Sequence, residues 1–259
     1  MTITVLAGGV GAARFLRALL LVVDPAEVTA IVNTGDDTVM HGLSISPDLD
    51  TVTYTLGGAI DPERGWGLRD ETWRAMEALG RFVPQRPPGS AAAPTWFNLG
   101  DQDLATHFYR TARLAEGATL TEVTGEIARA FGVTITLLPM TDDGVETRVT
   151  VHDDGDADRG AGHEVSFQEY FVQRRHSVPV SAVRFAGADE ATLTVASRAA
   201  LVDADTIVIA PSNPLVSIGP LRALSGVDDL LRARRDRVVA ISPIIAGAAL
   251  KGPADRMLI

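Results

Sequence analysis

The residues able to do chemistry gather in a few short segments of small and acidic side chains. Gly8, Gly9, Val10 and Gly11 stand between a strand-like run, residues 2–6, and a helical run, residues 12–21. A turn of this kind leaves bare backbone N–H groups and the positive end of a helix dipole where a phosphate can sit. Glycine suits it because a side chain blocks backbone approach and disfavours positive φ. The turn is not a full Gly-x-Gly-x-x-Gly fingerprint, since Ala12, Ala13 and Arg14 follow Gly11, and it lacks the Lys-Ser/Thr of a P-loop. A turn that merely packs helix on sheet is the structural alternative.

Two acidic clusters follow. Asn33, Asp36 and Asp37 come directly after the second apolar run, and Asp48 and Asp50 come shortly after Ser46 and Pro47. In an open α/β sheet, ligands collect beyond the carboxyl ends of the strands, so both clusters are expected near the glycine turn. Four carboxylates beside a phosphate need an offsetting charge. A hard divalent cation supplies it by bridging carboxylate and phosphate oxygens, with Asp48 and Asp50 the candidate ligands. The plainer alternative makes Asp36 and Asp37 a Gly-Asp turn and Asp48 part of a helix opened by Ser46 and Pro47.

Further polar groups lie in later loops. Ser212, Asn213 and Pro214 follow the run Thr206–Ala210 and suit recognition of a base or ribose, although helix capping accounts for such residues too. Lys251 closes a last loop that could meet phosphate. Asp101, Gln102, Asp103 and His107 open a helical stretch, in which the four-residue spacing of Asp103 and His107 lets them pair or flank a ligand. His41 has no partner at a metal-ligand spacing. No nucleophile elbow or His-Glu-x-x-His motif occurs.

The elements that must position these residues read as α/β. Apolar runs recur at 27–33, 132–138, 180–185, 206–210 and 237–241, several almost continuous in Val, Ile, Leu and Ala, as in parallel strands covered on both faces. Helical patterns fall at 70–79 and 101–115, and Thr119 with Glu122 forms a capping box opening a third that ends near Gly132. Residues 1–60 and 181–259 alternate strand and helix most clearly, and form the expected core. Residues 61–180 read as an inserted, helix-rich substrate region. Within it, runs 146–151 and 164–167 flank an acidic loop, residues 152–163, and suggest a long hairpin. That loop fails the EF-hand pattern, because Arg159 and Val165 occupy the glycine and glutamate positions.

With 23 Lys and Arg against 33 Asp and Glu, the net charge is −10, which argues against broad nucleic-acid or anionic-membrane binding. The chain has no cysteine, so disulfides and thiolate chemistry are excluded and a cytoplasmic setting is expected. The apolar run 18–23 is too short to span a bilayer and is followed at once by Asp24 and Glu27.

Taken together, the ordered segments 7–16, 32–37, 46–51, 54–58, 60–67, 99–107, 138–143, 167–169, 210–220 and 242–247 make this sequence similar to the 2-phospho-L-lactate transferases of coenzyme F-420 biosynthesis, and closest to the actinobacterial branch. The resemblance implies a Rossmann-like, mostly parallel sheet with helices on both faces. It implies transfer of a phosphoenolpyruvyl or 2-phospho-L-lactyl group from a guanosine diphosphate donor to the deazaflavin Fo, with release of GMP. It also implies magnesium on Asp48 or Asp50, which are the expected catalytic residues, and a homodimer. Gly8, Gly9, Val10, Gly11, Ser212, Asn213 and Pro214 are the expected nucleotide contacts. Asn33, Asp36, Asp37, Asp101, Gln102 and His107 are the expected substrate contacts. Two departures stand out: Gln102 replaces the family's usual arginine, and Ile259 comes before the tail usual in the family. The gluconeogenesis-factor proteins, nucleotide-sugar-binding regulators, share the glycine opening and are the second candidate. An NAD-linked oxidoreductase is disfavoured by the glycine spacing.

Overall fold

The computed structural model describes residues 1–90, 92–152, 162–249 and 254. Lys251 and most of the acidic loop, residues 153–161, lie outside them. The opening run forms β1 (Ile3–Ala7), every residue of which is buried, and passes through the glycine turn into α1 (Val10–Leu19). A parallel partner, β2 (Val28–Val32), follows in register from Ile3 opposite Val28 to Ala7 opposite Val32. Next come a small hairpin, β3 (Thr38–Met40) and β4 (Leu43–Ile45), and then α2 (Pro47–Leu56), begun by Pro47.

The middle of the chain supplies α3 (Arg74–Gly80), α4 (Asp101–Ala115), α5 (Leu120–Ala130) and β5 (Thr136–Pro139). The capping box forms: Thr119 Oγ1 accepts from the Glu122 N–H, and Glu122 Oε2 accepts from the Thr119 N–H at 2.8 Å. The helical pattern at 70–79 becomes helix only from Arg74. Asp70 takes a left-handed φ of +61°, and Asp101 holds the Thr72 backbone in an extended exchange, its Oδ1 accepting from the Thr72 N–H at 2.7 Å.

After β6 (Glu146–Val151), β7 (His163–Ser166) and β8 (Val180–Ala186), the core resumes with α6 (Val195–Asp203), β9 (Thr206–Ile209), α7 (Gly219–Ala223), α8 (Val227–Ala233) and β10 (Val238–Ala240). The central sheet has the all-parallel order β10-β9-β1-β2-β5. The winding therefore reverses between β1 and β9, which is the switch point of a doubly wound sheet. Helices cover both faces, as expected. Val5, Ala30, Val32 and Val208 pack toward α1, α2 and α5, while Leu6, Ile31 and Ile207 pack toward α6, α7 and α8.

The sheets do not divide where the sequence runs suggested. β5 lies inside 61–180 yet forms an edge of the central sheet. β8, read as a strand of the parallel core, instead pairs antiparallel with β6 in a separate sheet of order β7-β6-β8. Its own residues carry the reason: Ala182 and Arg184 share an exposed face, while Val183 and Phe185 on the other pack against hydrophobic clusters. The expected hairpin does form from β6 and β7.

Ile207 is fully buried on the central strand β9. Ile207→Ala is expected to cost about 2–5 kcal/mol, read as a lowered denaturation midpoint with an unchanged slope in urea.

Candidate active site

The glycine turn sits at the switch point, and its glycines are required by their neighbours. A Cβ on Gly9 would run into the Asp48 carboxylate, one on Gly8 into the Ser217 side chain, and one on Gly11 into the Pro211 carbonyl oxygen. The Gly8 N–H donates to Ser212 Oγ at 3.1 Å, joining the ends of β1 and β9. No side chain caps α1, and its first intrahelical bond runs from the Ala13 N–H to the Gly9 carbonyl. The amides of Val10, Gly11 and Ala12 are therefore left for an anion.

Asn33 organises the acidic groups around this turn. Its buried amide donates to Asp48 Oδ2 at 2.9 Å and Asp36 Oδ1 at 3.3 Å, while its Oδ1 accepts from the Gly35 N–H at 2.9 Å. Gln168, also buried, donates to the Asp36 carbonyl and to Asp36 Oδ2. Asp37 Oδ2 accepts from Ser46 Oγ at 2.6 Å, whereas its buried Oδ1 has no partner.

A second network lies next to the first. Both Asp50 oxygens accept from the Arg110 guanidinium, the Nη1 to Oδ2 contact being 3.2 Å. Arg110 Nη1 is also 3.2 Å from His107 Nδ1. A guanidinium can only donate, so that nitrogen accepts and the ring proton belongs on Nε2, 3.4 Å from Asp103 Oδ2. Tyr54 donates to Asp103 Oδ1 at 2.6 Å.

Crowding of like charge appears in the proton affinities. Burial, with repulsion from Asp48 and Asp37, pushes the Asp36 carboxyl well above the usual range. Burial does the same to Asp37, against the Ser46 hydrogen bond and the Arg110 charge. Asp48 is pushed up to about 6 by burial, with the Asn33 bond opposing. Burial also acts upward on Asp103, but bonding to His107 and Tyr54 and the Arg110 charge hold it below its ordinary value.

Magnesium fits this centre. Asp48 offers hard oxygens beside uncapped amides, in a buried setting where a bound cation would offset the carboxylate charge. Asp48 and Asp50 engage different partners, because residues two apart on a helix point about 200° from one another. Asp50 faces Arg110. Asp50, Asp103 and His107 each bring one ligand atom within 4.8 Å of the others, yet Asp50 and Asp103 are already held by Arg110 and Tyr54. Asp48 is the residue better placed to hold a cation against a phosphate.

The structure thus brings Gly8, Gly9, Val10, Gly11, Asn33, Asp36, Asp37, Asp48 and Ser212 to one place, with Asp50 and His107 in the adjoining network. Asn213 spends its Oδ1 on the Leu215 and Val216 N–H groups in a turn that leads through Pro214. Asp101 and Gln102 are exposed and bind the Thr72 backbone and the Arg69 carbonyl. Gln168, Arg110 and Tyr54 complete the centre without having been singled out as site residues from their types or spacing.

Fold and site together define a doubly wound α/β protein with a phosphate-type turn at its switch point. Two crystal structures of a UPF0052-family protein from Bacillus halodurans share this fold, with TM-scores of 0.56 and 0.58 at 16% and 17% identity. Those alignments cover 89% and 92% of this chain, and 64% and 68% of the chains compared. Curated relatives named phosphoenolpyruvate transferase, from Mycobacterium avium and Mycolicibacterium smegmatis, are 46% and 45% identical over all of this chain, covering 79% and 78% of their own length. The chain belongs to the 2-phospho-L-lactate transferase CofD family, whose model matches residues 3–258. It is an enzyme of the transferase class. No helix among the described residues is long and apolar enough to cross a membrane.

Two outcomes follow from the charges. A carboxyl with a raised folded pKa favours the native state at low pH and loses that contribution as pH rises through the folded value, here about 6. Asp48→Asn should therefore stabilise the metal-free protein at pH 7.5 by roughly 1–3 kcal/mol, with little effect near pH 4, in urea titrations at both pH values. Arg110→Leu should cost about 3–5 kcal/mol by stranding Asp50, and a second change, Asp50→Asn, should recover much of it.

Proposed function

We propose that this chain transfers a phosphoenolpyruvyl group from a guanosine diphosphate donor to the ribityl hydroxyl of the deazaflavin Fo, releasing GMP and forming dehydro coenzyme F-420-0. The observation that carries the reading is the Asp48 carboxylate set against the uncapped amino end of α1, a pairing suited to a metal-bound diphosphate. The names of the mycobacterial relatives support the phosphoenolpyruvyl donor over the 2-phospho-L-lactyl one.

The Val10 and Gly11 amides receive the diphosphate, and Ser212, Asn213 and Pro214 frame the guanosine. Magnesium held by Asp48 would neutralise charge developing on the donor during transfer. The acceptor hydroxyl oxygen attacks the phosphorus carrying the three-carbon acid, and the bond from that phosphorus to the departing GMP oxygen breaks in line with it. Asp37, whose Oδ1 has no partner within the protein, orients the hydroxyl and takes its proton. Asn33 and Asp36 hold Asp48 and the loop in place, while Asp50, Arg110 and His107 fix the adjoining wall. The same reading carries a cytoplasmic homodimer.

Purified protein given magnesium, Fo and each guanosine donor should release GMP, fastest with the phosphoenolpyruvyl compound. Asp48→Asn should lower turnover at least a hundredfold while the folded structure persists. Near-normal turnover of that variant would remove Asp48 from the mechanism. In calorimetric titrations GDP should bind more tightly than ADP or NAD. A UDP-sugar that binds more tightly than GDP, with no GMP release, would establish the regulatory reading instead.

A further inference from the structure

Two helices exchange side chains in matched spacing next to the acidic turn. Asp50 and Tyr54 of α2 are four residues apart, and Asp103, His107 and Arg110 of α4 follow at spacings of four and three. Each set therefore shares one helix face. The two faces meet as a ladder: Arg110 holds Asp50 on one rung, and Tyr54 donates to Asp103 Oδ1 at 2.6 Å on the other. His107 stands between the rungs and contacts both Arg110 and Asp103. Asp50, Tyr54, His107 and Arg110 are buried, so bulk water does not replace a partner lost there.

The polarity of the ladder follows from what each group can offer. Arg110 Nη1 can only donate, and Asp50 Oδ2, His107 Nδ1 and the Ser44 carbonyl share it at 3.2, 3.2 and 3.4 Å. An ionised carboxylate can only accept. With Oδ1 taken by Tyr54, Asp103 turns Oδ2 to His107 Nε2 at 3.4 Å, a buried nitrogen otherwise without a partner. Asp103 thus calls for the ring proton on Nε2, and Arg110 for a bare Nδ1. The other tautomer would set an Nδ1 proton against the guanidinium and two acceptors against each other at Asp103. A buried carboxylate fixes the imidazole tautomer of the serine-protease triad in the same way, and its replacement by an amide admits the wrong one.

We infer that Tyr54, Asp103 and His107 are positioning residues for the transfer: by keeping His107 in its Nε2–H tautomer they hold the Arg110 fork, and through it Asp50, in the arrangement that aims Asp48 at the glycine turn. The inference rests on the function proposed above, and adds the device that keeps its carboxylates aimed. Both ring nitrogens of His107 are engaged within the protein, so its part is played through Arg110. No change in net protonation is involved, only the choice of the nitrogen that carries one proton.

The test uses the full chain. NMR of protein carrying isotope-labelled histidine reads the ring nitrogens, with the His107 signals identified by their loss in His107→Gln. Turnover is followed as GMP released with magnesium, Fo and the phosphoenolpyruvyl donor. The unaltered ring should carry its proton on Nε2. Asp103→Asn should move that proton to Nδ1 and lower kcat at least about tenfold, with KM for both substrates within about twofold. Glutamine can accept from Arg110 and donate to Asp103 but has no second tautomer. His107→Gln should therefore recover most of the turnover lost in His107→Leu, and Asp103→Asn added to His107→Gln should cost no more than about threefold. A proton on Nδ1 in the unaltered chain, or unchanged kcat in Asp103→Asn, overturns the inference and leaves the reaction standing. An equal loss from Asp103→Asn with and without His107→Gln does the same. An unaltered chain that releases no GMP overturns the reaction, and with it the role assigned to these residues.

Discussion

Arg110 is the only buried lysine or arginine among the described residues, and the geometry of the acidic centre depends on it. Its fork takes both oxygens of Asp50 and also reaches the Ser44 carbonyl. A buried carboxylate without such a partner is expensive, so α2 must present Asp50 to α4 and can adopt no other roll about its axis. That roll turns Asp48 toward the glycine turn. An ion pair sixty residues apart in sequence thus aims a carboxylate at the end of α1, and fastens the middle of the chain to the nucleotide-type core.

Local signals were the legible ones. The strand–turn–helix at the amino end, the Thr119 capping box and the β6–β7 hairpin each lie within a short window, and each formed as its sequence indicated. Asp103 and His107 likewise meet because their four-residue spacing puts them on one helix face. What a window cannot hold is sheet membership. The β5 and β8 segments are both short and apolar, yet β5 extends the parallel sheet and β8 joins an antiparallel one, a choice made by distant partners. The charged Arg184 inside this run was the available hint that one face of β8 meets water.

The site divides along the same line. Asn33, Asp36, Asp37, Asp48 and Ser212 were readable because they follow strand ends, where a doubly wound sheet gathers its ligands. Gln168 and Tyr54 were not, since their partners Asp36 and Asp103 lie far away in sequence. Closeness in sequence also misled. Asp48 and Asp50 look like one chelating pair until helical geometry turns them apart. Asn213 gives its side-chain carbonyl oxygen to the turn that it begins, which the sequence position alone does not tell.

The contacts made by Gly8, Gly9 and Gly11 bear on how this turn can change over evolutionary time. Each glycine is hemmed in by a different neighbour: a serine side chain, a carboxylate and a backbone carbonyl. Folding and ligand binding thus impose the same requirement at three adjacent positions, so drift there meets two barriers at once. A descendant that abandoned the chemistry would still keep these glycines for its architecture. The carboxylate that touches Gly9 is freer to vary, and its replacement would be the earlier trace of a changed trade.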